Sequence, residues 1–234
     1  MESCTFGNPI DWDRFIREYE PVYYNTSQSK LIRRKSSLFI EKEIEKILAT
    51  GLRAEDIPLV IAWKIGNINH KESSNKIVFK NNCNQTLEFK AQYNIIKAKP
   101  LVDYIANNLS YLTNLAESDP YKAFVKLCEN KVDYFGTTYL LTLLYFLSQG
   151  TMPIYDKFAH IALLALKDDV KPHEPIYGYK PIEQARDNIS RVKAWKTYMD
   201  YRNLLIDLAG ENRYRDKSID RALWVYGHAF KNIR

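Results

Sequence analysis

The sequence predicts an all-α protein. Three observations carry that expectation. Apolar residues recur at helical spacing along most of the chain, cap residues and helix-ending glycines bracket those stretches, and no run of alternating strands, internal repeat or low-complexity tract interrupts them. At 234 residues and 46% hydrophobic, the chain can bury a core without disulfide or metal staples. It is expected to fold as a single all-α unit over residues 1–234, built as one domain or as two closely packed helical lobes.

Taken in order, "KSSLFIEKEIEKILATGL" places Phe39, Ile40, Ile44, Ile47 and Leu48 on one helical face, and Gly51 suits the left-handed position after the last turn. Asp56 is the expected cap of "IPLVIAWKIG", with Pro58 in the first turn and Gly66 at the end. Residues 67–84 are polar and rich in Asn and Ser, a loop with room for one short strand at 76–80. Residues 85–97 and 100–115 read as two helices separated at Pro100. Ser118-Asp119-Pro120 opens another that runs to about Asn130. A short turn containing Gly136 leads into an apolar helix over 137–148, and "QGTMP" forms the next turn. The Pro- and Tyr-rich "VKPHEPIYGYKP" is a loop. A long helix over 182–209 is closed by Gly210, and Ser218 is the expected cap of the last helix, "IDRALWVYGHAF".

Composition excludes several function classes. Cys4, Cys83 and Cys128 are widely separated and form no C-x-x-C pair, which argues against a disulfide framework and a structural zinc site, and for a reducing, cytoplasmic setting. His70, His160, His173 and His228 have no His or Cys partner at ligand spacing, so neither a metal nor a cofactor is expected. There is no phosphate-binding G-x-x-x-x-G-K-[ST] loop and no G-x-S-x-G elbow. The acidic N-terminus lacks a signal-type apolar run, and the longest apolar stretch, 139–147, is about half of the roughly 20 residues a membrane helix needs. Trp63, Trp195 and Trp224 fall on apolar helix faces and read as core. A net charge of +6 is compatible with a polyanionic partner. The densest basic patches, "SKLIRRK" and "NRYRDKSIDR", read as solvated helix ends.

One stretch breaks this pattern. In "KVDYFGTTYLLTLLYFLSQGTMPIYDKFAHIALLAL" a lone carboxylate, Asp156, stands between two of the most apolar segments, with Lys157 as its obvious partner. A buried carboxylate without partners is costly or takes up a proton. At the start of "KFAHIALLAL" it would instead accept hydrogen bonds from first-turn N–H groups and be favoured by the helix dipole.

The order of hairpin with glycine, apolar helix, Pro-x-x-Asp and second apolar helix over residues 120–166 resembles the helix-hairpin-helix DNA glycosylases, in particular the 8-oxoguanine glycosylase fold. Val132-Asp133-Tyr134-Phe135-Gly136 stands at the hairpin and Met152-Pro153-Ile154-Tyr155-Asp156 at the segment bearing the family's essential aspartate. Tyr134 replaces the first hairpin glycine, Asp156 lies one residue further from its proline, and Phe158 stands where the family has histidine. The resemblance implies that double-stranded DNA is the partner, that Asp156 is the catalytic carboxylate, and that Lys131, Gly136, Thr137, Thr138 and Lys157 contact DNA. The family's strand-cleaving members carry a lysine at the start of the helix after the hairpin. This chain has Thr137 and Thr138 there and no lysine between Lys131 and Lys157, so the implied enzyme removes a base without lysine-dependent strand cleavage. The alternatives are a catalytically inactive DNA-binding module of the same fold and a helical protein-interaction domain.

Overall fold

The structure, a computed structural model, describes residues 9–20, 22–25, 30–33, 35–74, 76–79, 88–91, 94–133, 135–230 and 233. In chain order these form α1 (Trp12–Tyr19), β1 (Val22–Asn25), β2 (Lys30–Arg33), α2 (Lys35–Thr50), α3 (Ile57–Lys64), β3 (Ile68–Lys71) and β4 (Lys76–Phe79). Then come β5 (Glu88–Ala91), β6 (Asn94–Lys97), α4 (Lys99–Asn107), α5 (Leu109–Ser118) and α6 (Pro120–Glu129). The described residues end with α7 (Thr137–Leu147), α8 (Lys157–Lys167), α9 (Asn188–Ala209) and α10 (Lys217–Gly227). The protein is mostly helical, and its strands pair only as the antiparallel ribbons β1-β2, β3-β4 and β5-β6 among the described residues. No helix among them is long and apolar enough to cross a membrane.

The chain divides into two compact units. One holds Ser36–Ile154 and Glu183–Trp195; the other holds the chain up to Lys35, Tyr155–Ile182 and everything from Lys196 onward. The first is organised around α7, whose sequence TTYLLTLLYFL is apolar on every side and whose residues from Leu140 to Leu147 are all buried. A helix hydrophobic all round belongs inside its domain, and α3, α5 and α6 pack against it. Thr142 is tolerated there because its hydroxyl donates to the Thr138 carbonyl at 3.0 Å. The "QGTMP" turn ends the helix with left-handed backbone at Gln149 and Gly150, and the Ser148 hydroxyl accepts from the Met152 N–H at 3.1 Å.

In the other unit α8 and α10 lie against each other, and α1 packs on α10. Phe15 and Tyr19 meet Tyr226 at ring separations of 5.5 and 4.9 Å, while the Trp12 indole N–H donates to the Leu208 carbonyl at 2.9 Å. Arg213 forks onto Asp13 at 3.0 and 3.1 Å. Gly227 is the tightest point: a Cβ built there would lie 1.9 Å from the Phe158 carbonyl oxygen. No side chain fits, so the backbone of α10 runs directly over the first turn of α8.

The expected glycine stops at Gly51, Gly66 and Gly210 all have φ between 70 and 82°. Several other expectations are corrected. The helix expected over 85–97 is replaced in its described part by a ribbon: Glu88–Ala91 pairs with Asn94–Lys97, with Phe89 opposite Ile96 and Lys90 opposite Ile95, and the β-branched pair Ile95-Ile96 favours it. Residues 85–87 lie outside the described residues, as do 75, 80–84 and Tyr134. The expected strand at 76–80 is present as β4, and Ile68–Lys71, expected in the loop, is its partner. The helix expected over 100–115 breaks at Asn108, whose side-chain amide donates to the Tyr104 carbonyl at 2.8 Å. Asp56 stands at the N-cap position of α3 as expected, but its side chain makes no cap hydrogen bond; it closes a 3-10 turn instead, accepting from the Arg53 N–H at 3.2 Å and its guanidinium at 2.9 and 3.0 Å. The last helix is capped by Asp216, two residues before Ser218. Lys30–Arg33 of the first basic patch form a strand, not a helix end.

Gly227→Ala is expected to destabilise the protein by at least about 2–3 kcal/mol, because overpacking against backbone cannot be relieved by rotating a side chain. Urea unfolding measures it, and an unchanged midpoint would mean that the two helices do not approach this closely.

Candidate functional site

Asp156 sits where the sequence places it, immediately before α8. Its backbone is extended (φ −138°, ψ 143°), and one carboxylate oxygen accepts from the Phe158 N–H at 2.9 Å. The side chain is half-buried, and this hydrogen bond ties it to the first turn of α8.

The surroundings of this carboxylate are aromatic. Tyr155 is buried and its hydroxyl lies 3.2 Å from His160 Nδ1; the His160 ring meets Tyr179 and Tyr201 edge-on at 5.4 and 5.5 Å. Burial pushes the Tyr155 hydroxyl far above its usual range, and the neighbouring Tyr179 and the Asp156 charge add to it. Tyr179 is raised mainly by burial, again with a contribution from Asp156. Burial lowers His160 to about 4. The Tyr201 hydroxyl is fully buried and has no hydrogen-bond partner among the described residues. On the other side of the α8 start, the His228 ring stacks on Phe158 at 3.5 Å and its Nδ1 lies 2.7 Å from the Trp224 carbonyl oxygen. Burial lowers the His228 pKa, opposed by that carbonyl and by Asp156.

The hairpin residues belong to the other unit. Gly136 is extended (φ −69°, ψ 161°) and caps α7 through its carbonyl, which accepts from the Tyr139 N–H at 3.0 Å. Thr137 is fully buried: its N–H points to the Gln184 side-chain oxygen at 3.3 Å, its hydroxyl donates to the Glu183 carbonyl and accepts from the Ala185 N–H, both at 2.8 Å. Lys131, Gly136 and Thr138 are half-buried, and Lys157 is exposed beside Asp156. The structure therefore brings Lys131, Gly136, Thr137 and Thr138 together at one turn and Asp156 with Lys157 at another. Among the described residues no group of three or more His, Cys, Asp or Glu side chains could hold a metal ion.

Sequence reasoning did not single out Phe158, His228 or Tyr179 as neighbours of Asp156. The available signal was the spacing of Arg221, Trp224 and His228, three and four residues apart and so on one face of α10. No family model, curated protein or solved structure matches the chain.

Two outcomes follow from the buried ring cluster. His160 stays neutral in the folded protein down to about pH 4, whereas the unfolded chain protonates it near 6.5. Between those values the unfolded state binds more protons, so stability is complete above about pH 6.5 and falls by about 1.4 kcal/mol per unit as pH drops toward 4. Denaturation at several pH values should show this slope, reduced in His160→Gln; equal slopes in both proteins would contradict a buried neutral imidazole. Tyr201→Phe should leave stability unchanged or raise it by about 1 kcal/mol, because an unpaired buried hydroxyl costs roughly 1–3 kcal/mol. A substantial fall in its melting temperature would mean that the hydroxyl is hydrogen-bonded.

Proposed function

We propose that the protein binds DNA in the manner of the helix-hairpin-helix glycosylases and removes a base through Asp156 without cutting the strand. The observation that carries the reading is the placement of Asp156: a half-buried carboxylate, fixed by the Phe158 N–H at the start of an apolar helix, in the sequence order in which that family presents its aspartate. In the proposed reaction the C1′–N bond breaks with its electron pair leaving on the base. The sugar becomes cationic, the Asp156 carboxylate stabilises that charge, and water adds at C1′ while its proton passes to the departing base or to solvent. The target nucleotide would be turned out of the stack to reach the carboxylate. Lys131, Gly136, Thr138 and Lys157 are the proposed contacts to the DNA backbone, by main-chain N–H groups and ammonium charge.

Thr137 favours a second reading. Its N–H faces Gln184 and its side chain is locked into the 183–185 segment, which suits a hairpin that serves the fold and a helical protein that excises no base.

Asp156→Asn separates the two readings. Duplexes carrying oxidised, alkylated and deaminated bases are incubated with protein, and hot alkali reveals abasic sites. The wild type should release a base from at least one substrate, and the variant should be reduced by at least about a hundredfold, the scale expected when a charge-stabilising group is removed. Borohydride should trap no protein–DNA adduct. No abasic sites on any substrate would favour the non-excising reading, and an adduct would show that an amine does the work.

A further inference from the structure

A ladder of three aromatic rings, bracketed by a cation at either end, runs along one face of α10 and across to the start of α8. The Arg221 guanidinium lies over the Trp224 ring at 5.7 Å; Trp224 meets His228 at 4.3 Å; His228 stacks on Phe158 at 3.5 Å and 24°; and the Lys157 ammonium lies over Phe158 at 5.4 Å. The ladder ends at Asp156, the residue before Lys157. Its geometry is fixed, not adaptable, because Gly227 clamps the end of α10 onto the Phe158 backbone and the His228 ring is held at the Trp224 carbonyl. Trp224 and Phe158 keep part of their surface accessible, and Lys157 is exposed.

We propose that this ladder is a track for a DNA strand with unpaired bases, in which Lys157 and Arg221 neutralise phosphates and the Trp224 and Phe158 rings stack against bases. The proposal rests on the DNA reading above and goes beyond it by assigning strand contacts to α10, outside the hairpin. Charge complementarity selects the partner: an acidic peptide would match the cations and leave the rings without a counterpart, and an apolar helix would cover the rings and strand the cations. A nucleic-acid strand carries anionic phosphates beside flat apolar bases, and rings bracketed by a cation at either end suit both. A strand lying on this track reaches Asp156 at its end.

The test uses the full chain and two fluorescent probes, an oligothymidylate and an abasic oligomer of equal length, followed by anisotropy over a salt series. Trp224→Ala should weaken oligothymidylate binding by about 5- to 100-fold and leave the abasic probe nearly unchanged, since stacking needs a base. Trp224→Phe should retain most of the affinity. Lys157→Gln should weaken both probes and reduce the salt slope by about 0.7, the value for one phosphate contact on a single strand. Lys171→Gln, at an exposed lysine away from the ladder, is the control for net charge. Trp224→Ala and Lys157→Gln proteins that melt as the wild type does but bind like it, or a wild type that binds neither probe at low salt, would overturn the track. Asp156→Asn distinguishes the two proposals. Ladder-dependent binding without excision by any protein refutes the chemistry and leaves the track standing, whereas excision with ladder-independent binding refutes the track alone.

Discussion

The close approach of Gly227 to the Phe158 carbonyl governs the region around Asp156. With no Cβ at 227, the last turn of α10 lies on the first turn of α8 at backbone distance, and any side chain would force the two apart. What α10 places next to the start of α8 arrives through this contact: His228 is the next residue on the chain, and Trp224 stands one turn before it. The carboxylate itself is held locally by one hydrogen bond from the Phe158 N–H. A local cap thus orients the charge, and a tertiary contact of backbone against backbone supplies its neighbours.

The way the fold treats that charge distinguishes it from the titratable groups behind it. Tyr155, His160 and Tyr201 are buried, and each is pushed toward its neutral form mainly by loss of water. Asp156 is only half-buried and stands at the N-terminal end of a helix, with the Phe158 N–H donating to it. Neutral, water-poor groups thus lie behind a partly solvated carboxylate. The same arrangement also serves a plain helix cap, which is why the chemistry is decided by base release and not by geometry.

The parts of this structure legible in the sequence are those set by local rules. Gly51, Gly66 and Gly210 end helices because only left-handed backbone closes the last turn there, and Asp119 and Asp156 cap because their carboxylates reach N–H groups a few residues on. The errors arose where a local signal was ambiguous or a distant partner decided. Ser218 and Asp216 are both capping types two residues apart, and the structure uses the carboxylate. The expected helix over 182–209 starts late, at Asn188, because Ala185 is drawn into a hydrogen bond with Thr137, 48 residues earlier in the chain, and Asp187 and Ser190 then exchange hydrogen bonds at the new start. No local pattern could announce that pairing. Residues 85–97 failed differently: a short mixture of apolar and polar residues fits either period, and the ribbon wins through pairing across Ala91 and Asn94.

The same distinction explains why Trp224 and His228 read as ordinary helix residues. Their spacing places them on one face of α10, but spacing cannot say what the face meets. In the folded chain that face meets Phe158, which stands at the position where the resembled family has a histidine, and an imidazole from α10 lies 3.5 Å from its ring. That imidazole belongs to His228, 70 residues downstream of Phe158. Its Nδ1 lies against the Trp224 carbonyl, an acceptor, so in the neutral ring Nδ1 carries the proton and further protonation falls on Nε2. Burial opposes that second proton while Asp156 favours it, so the charge of His228 is coupled to the carboxylate it neighbours. Added to burial, the same carboxylate raises Tyr155, Tyr179 and Tyr201, so its charge reaches the rings behind it as well as the one that joins α10 to the ladder.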